Sequence, residues 1–137
     1  MPTLPFNPSQ VGIEVIATYL PNHSRPEHRH YTFAYTVTIS NESNLTVQLL
    51  SRHWIITDAD NEVQEVRGEG VVGEQPVIAP KASFRYTSGA TLTTPVGCME
   101  GSYAMVVREP MDTDRSELPT FEVPIRVFSL HTPMALN

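Results

Sequence analysis

The 137-residue chain reads as an all-β protein, one antiparallel β-sandwich of about seven or more strands. Three observations predict it. Apolar side chains recur at every second position, most regularly at Tyr31, Phe33, Tyr35, Val37 and Ile39, with Thr32, Thr36, Thr38 and Ser40 between them. Such a period of two marks a strand with one buried face, and β-branched threonines suit the wet one. No ten-residue stretch places apolar residues at three-and-four spacing, so no long helix is expected. Turn-forming residues separate the short apolar runs, as in a small sandwich.

In order, residues 1–10 hold Pro2, Pro5 and Pro8 and read as a tail. The domain follows over 11–132, with a second tail at 133–137. Val11, Ile13, Val15, Ala17 and Tyr19 alternate in a first strand, and the polar, Pro-containing Pro21–Arg29 is a loop. Tyr31–Asn41 is the second strand. Asn41–Asn44 turns into a long strand, Leu45–Asp58, whose apolar set changes parity from Leu45, Val47 and Leu49 to Leu50, Trp54 and Ile56. A one-residue slip inverts every side chain, so a bulge near Leu50–Arg52 is expected. Asp58–Asn61 is a hairpin turn into a strand over Glu62–Arg67. Ile78–Lys81 turns into Ala82–Ser88, and Gly97–Arg108 is a strand through Tyr103, Met105 and Val107. Glu109–Pro119 is a polar loop. Phe121, Val123, Ile125 and Val127 alternate in the last strand. Gly101-Ser-Tyr103 suggests a tyrosine corner, its phenol bonding back to the preceding turn.

A chain of this length is one domain, able to bury roughly two thirds of its unfolded surface. Its single cysteine, Cys98, makes no internal bridge, which suits a reducing compartment. No apolar run approaches a membrane span and the start lacks a signal pattern, so the expected location is cytoplasmic. Nine basic against fifteen acidic residues give a net charge of −6, which argues against nucleic acid as a partner.

Arg67–Pro80 carries three of the seven glycines as Gly68-x-Gly70-x-x-Gly73. A dinucleotide fingerprint needs a helix to begin at the third glycine, so that its amides hold the pyrophosphate. Pro76 and Pro80 forbid that helix, and Glu69 and Glu74 would repel the ligand. Three glycines supplying positive φ in a tight excursion between strands are the simpler expectation. His28 and His30 would share a strand face and offer at best a weak divalent-metal pair, with Glu27 or His23 as a third ligand. Asp58-x-Asp60-Asn61-Glu62 lacks the glycine and distal glutamate of a calcium loop and reads as an Asx turn. Ser51 and His53 share a face with no obvious orienting acid, and Cys98 follows a Pro-Val-Gly turn with no helix terminus to activate it, so no catalytic residue is assigned. Trp54 is a core residue.

Five blocks carry a resemblance: Ser51–Asp58 (Ser-Arg-His-Trp-Ile-Ile-Thr-Asp), Val66–Pro76 (Val-Arg-Gly-Glu-Gly-Val-Val-Gly-Glu-Gln-Pro), Thr87–Gly89, Thr94–Gly97 and Gly101–Tyr103. In order and spacing they resemble the bacterial ApaG family, also called CorD, over about Val11 to Thr132. The resemblance implies a fibronectin type III-like sandwich and a link to cobalt and magnesium resistance. It also implies a suggested pyrophosphate role for the glycine motif, beside dinucleotide polyphosphate metabolism. ApaG-like domains within F-box proteins and a polymerase-interacting protein imply recognition. The expected function is therefore a non-enzymatic binding module without a cofactor, meeting an unidentified protein through Arg67, Glu69, Val71, Val72 and Gln75, with Thr94–Gly97 nearby. Val71 and Val72 must point to opposite sides, so at most one enters the core easily. The alternatives are nucleotide or pyrophosphate binding at Gly68, Gly70 and Gly73, or metal at His28 and His30. An edge strand offers a route to a homodimer.

Overall fold

A computed structural model describes residues 6–108 and 120–133. The loop expected at Glu109–Pro119 and the outer parts of both tails, residues 1–5 and 134–137, lie outside them. Among the described residues eight strands run in chain order: β1 (Val11–Tyr19), β2 (Tyr31–Asn41), β3 (Val47–Asp58), β4 (Val63–Glu69), β5 (Val77–Ile78), β6 (Ser83–Leu92), β7 (Val96–Val107) and β8 (Thr120–His131). Helix among the described residues is confined to three single 3₁₀ turns at Pro8–Gln10, Pro21–His23 and Pro26–His28. The first of these is capped by Asn7, and Phe6 before it packs on Phe121 with ring centroids 4.6 Å apart. The tail expected over 1–10 therefore joins the domain from Phe6 onward.

All pairings are antiparallel and make two sheets. The smaller has the order β1-β2-β6; the larger has β4-β3-β7-β8, with β5 pairing the start of β3. Inward side chains from both sheets form one core, as the period-two pattern requires: Phe33, Val37 and Ile39 meet Val47, Leu49, Trp54, Met99, Tyr103 and Met105. Burying each aliphatic side chain stabilises the fold by about 1.5–3 kcal/mol. Trp54 sits edge-on to Tyr35, 5.3 Å away, and to Phe128, 5.9 Å away.

The expected bulge exists. The register of β3 on β7 slips between Leu49 and Ser51, so Leu50 is the extra residue and Trp54 and Ile56 face the core. A second bulge has no counterpart in the sequence reading. Met99 pairs Phe128 and Gly101 pairs Ile125, so Arg126 and Val127 together oppose Glu100. Parity inverts there, which turns Phe128 and Leu130 inward and leaves Val127 60% exposed, against the expectation that it continues the buried series.

Tyr103 is no tyrosine corner. It lies within β7, fully buried, and its hydroxyl meets that of Tyr86 from β6, joining the two sheets through the core. Burial pushes Tyr86 up to about 12 and raises Tyr103 as well, the neighbouring phenol adding to it. Both folded values lie above the ordinary 10.0. The stabilisation from Tyr86 is therefore complete below about pH 10 and is lost as pH rises through about 12, on the order of 3 kcal/mol, while that from Tyr103 has the same sign and persists to higher pH. Urea melts should show stability falling over this window, with a much flatter fall in Tyr86→Phe/Tyr103→Phe. An unchanged slope in the double variant would refute the assignment.

Candidate functional site

The glycine-rich segment connects β4 to β5 along one side of β3. Its middle is a two-residue turn: Val71 and Glu74 exchange both backbone hydrogen bonds, at 2.8 and 2.9 Å. The central residues Val72 and Gly73 have φ of 43° and 82°, both in the left-handed region that twisted hairpins favour. Gly70 also has positive φ, 64°, and a Cβ there would stand 2.2 Å from the Glu74 carbonyl oxygen. Two of the three motif glycines thus supply positive φ. Gly68 does not: it lies in β4 opposite Arg52, and a Cβ would meet the Arg52 guanidinium at 2.8 Å.

The loop is fixed from several sides. Arg52 donates from one terminal nitrogen to the carbonyls of Glu69 and Gly70, at 3.1 and 2.9 Å. The Gly70 amide donates to Leu50, and the Gln75 side chain donates to the same carbonyl at 2.9 Å. Gln48 donates to the Gln75 carbonyl, and the Leu49 amide to that of the buried Pro76. Val71 is 1% exposed and Val72 53%, so the pair splits as adjacent residues must. Arg67, Glu69 and Gln75 are exposed around them. Thr94–Gly97 is not beside this loop. Gly97 pairs Asp58 at the far end of β3, and the Thr94 hydroxyl accepts the Ala59 amide and donates to the Val96 carbonyl. Eight residues of strand, about 26 Å, separate that end from Leu50.

On the outer face of the larger sheet, Ser51, Ser102 and Ala104 floor a shallow depression of about 360 Å³ edged by His53, Arg67, Glu69 and Glu122. Here His53 does have an acid: its Nε2 lies 2.5 Å from Glu65 Oε2, and Arg67 donates to the same oxygen at 3.0 Å. Those two neighbours, His53 first, hold the Glu65 carboxyl below its ordinary value. Sequence reasoning misses Glu65 because it stands diagonally across β3–β4 from His53, a neighbour visible only once the register is known. Among the described residues neither Ser51 nor Ser102 hydrogen-bonds His53, and the depression is open to solvent.

The two histidines do not share a strand face. His28 ends a 3₁₀ turn, Arg29 at φ 55° breaks the chain direction, and His30 bridges back to Arg25 before β2 begins. Both are exposed. Among the described residues no group of three or more His, Cys, Asp or Glu is placed to hold a metal ion. Asp58 makes the expected Asx turn, its Oδ1 accepting the amides of Asp60 and Glu62 at 2.8 and 3.0 Å. No helix among the described residues is long and apolar enough to cross a membrane.

Known proteins agree with this architecture. The family model described as the ApaG domain matches residues 21–107. A Protein ApaG of Pseudomonas paraeruginosa is 52% identical over 128 residues, spanning 93% of this chain and 95% of that relative. The Protein ApaG of Methylococcus capsulatus is 48% identical over 130 residues, 95% and 97% of the two chains. A crystal structure of an ApaA protein from Bordetella pertussis superposes with a TM-score of 0.82 at 46% identity, covering 91% of this chain and 95% of that one.

Proposed function

The chain belongs to the ApaG family, and on that premise we propose that it is a non-enzymatic recognition module that binds another protein through the β4–β5 loop. The observation that carries this is Val72: a β-branched residue at φ 43°, 53% exposed, at the tip of a loop otherwise well fixed. That conformation costs a branched residue about 1–2 kcal/mol, which Asn or Gly would avoid. A turn serving only to connect β4 and β5 gains nothing from an isopropyl group held in water at that cost. A contact residue does, because a pre-ordered apolar tip loses little entropy on binding. Val77, 51% exposed, adds apolar surface on β5, and Glu69, Glu74 and Gln75 supply a polar rim.

The geometry counts against the glycine motif as a phosphate cradle. The amides of Gly70, Val71 and Glu74 are each bonded to a backbone carbonyl, and Gly68 is a strand residue. Two experiments decide between the readings. Proteins retained from a lysate of its own cells by the wild type are expected to be lost with Val72→Asp and kept with His28→Ala/His30→Ala. Identical retention by wild type and Val72→Asp would overturn the proposal. Localised shifts of the Gly68, Gly70 and Gly73 amides on adding pyrophosphate at sub-millimolar concentration would favour the ligand reading instead.

A further inference from the structure

We propose that the outer face of β1-β2-β6 docks a second copy of this chain, giving a two-fold dimer joined by reciprocal Glu14–Arg85 ion pairs. This inference uses the other sheet and does not depend on the loop reading.

The face is unusually short of charge. Among the outward residues of these three strands only Glu14 on β1 and Arg85 on β6 are charged, in a chain with nine basic and fifteen acidic residues. Depletion of charge marks the centre of protein contacts. The rest of the face is Gly, Ala, Ser and Thr, plus Ile16, which is 64% exposed. Its hydroxyls are largely satisfied within the sheet. Thr36 and Thr87 bond at 2.8 Å, Thr32 and Thr91 at 3.1 Å, and Ser40 and Ser83 at 3.2 Å, so covering them costs less than covering unpaired hydroxyls.

The two charges are placed for a twin. Glu14 pairs Thr38 and Thr38 pairs Arg85, so the charges stand at opposite ends of one transverse row. Neither has an ion-pair partner among the described residues; Arg85 only donates its Nε to Thr38 at 3.3 Å. A two-fold axis lying in the interface along β2 exchanges β1 with β6. It sets Glu14 over Arg85 of the second copy and Arg85 over its Glu14, the self-complementarity an isologous contact requires. In the next row the same operation lays Ile16 over Thr87 of the second copy. An unrelated partner would have no reason to match both ends of the row at once.

Three strands about 4.8 Å apart and nine residues long offer roughly 400 Å² per copy, below the usual size of a stable interface. The dimer is accordingly weak. Sedimentation equilibrium from about 10 μM to 1 mM at low salt tests it, with roughly 0.5 M salt as a second condition. The wild type is expected to associate with concentration and to weaken in salt. Glu14→Arg and Arg85→Glu singly should each weaken association at least roughly tenfold, and Glu14→Arg/Arg85→Glu should restore it, because the exchanged pair is again reciprocal. Both side chains are exposed, so the variants are expected to fold, with circular dichroism as the check. A wild type that stays monomeric at the top of that concentration range overturns the proposal. So does association that survives both single reversals, which would place the contact elsewhere, for instance at an edge strand, or a double variant that stays monomeric.

Discussion

Val71→Asp is expected to unfold the domain, whereas Val72→Asp one residue on should move stability by no more than about 0.5 kcal/mol. Val71 is 1% exposed and belongs to the core cluster, so an aspartate there strands a carboxylate without water. The Arg52 guanidinium, which could offer positive charge, is already donating to the Glu69 and Gly70 carbonyls, so drawing it to the new carboxylate would loosen the loop it holds. Burying an uncompensated charge costs several kcal/mol, a large share of a small domain's total stability. At Val72 the opposite holds. The side chain is solvent-facing and its φ of 43° suits Asp better than a β-branched residue, so relief of strain offsets lost packing. Urea unfolding of both variants checks the pair. If both unfold, the loop tip is part of the core and cannot be the contact point; if both stay folded, Val71 is not a core residue.

Strands are legible in the sequence wherever one face is buried, since alternation then follows from burial itself. The bulge at Leu50 can be read because apolar residues flank it on both sides and change parity. The bulge at Arg126–Val127 cannot, because Val127 extends the series of Val123 and Ile125 by eye, and only Phe128 and Leu130 betray the inversion. Asn41 reads in the sequence as a turn residue. It is fully buried, its amide donating to the Leu45 and Ile78 carbonyls at 2.8 and 3.0 Å and its Oδ1 accepting the Ser43 amide and hydroxyl. One side chain thus ties the β2–β3 turn to β5, a long-range role that composition does not reveal. The split of Val71 from Val72 follows from adjacency alone, but which one is buried depends on the turn. Gly68 misleads because a spacing of glycines does not say whether each one bends the chain or makes room for a neighbour's side chain.

Gly101 is the sharpest instance of that second role, and Gly101→Val is expected to cost at least about 3 kcal/mol. Gly101 lies inside β7, a central strand, paired with Trp54 of β3 on one side and Ile125 of β8 on the other. Its φ is outside the left-handed region, so conformational freedom is not the reason for glycine here. Space is. A Cβ built at this position would stand 2.0 Å from the His53 carbonyl oxygen and 3.2 Å from the Trp54 Cα, both backbone atoms that cannot swing aside. Any larger residue must part β3 from β7 beside the aromatic cluster around Trp54, or force out the β8 bulge that begins next to it. Gly12 provides the control. It lies in β1 with nothing within 4 Å of its would-be Cβ, so Gly12→Ala should be neutral or stabilise by up to about 1 kcal/mol through the lost freedom of the unfolded chain. Urea melts of the two variants should therefore move in opposite directions or differ by several kcal/mol. A Gly101→Val domain as stable as the wild type would mean that β3 and β7 can separate freely, and the close approach would then have no structural weight.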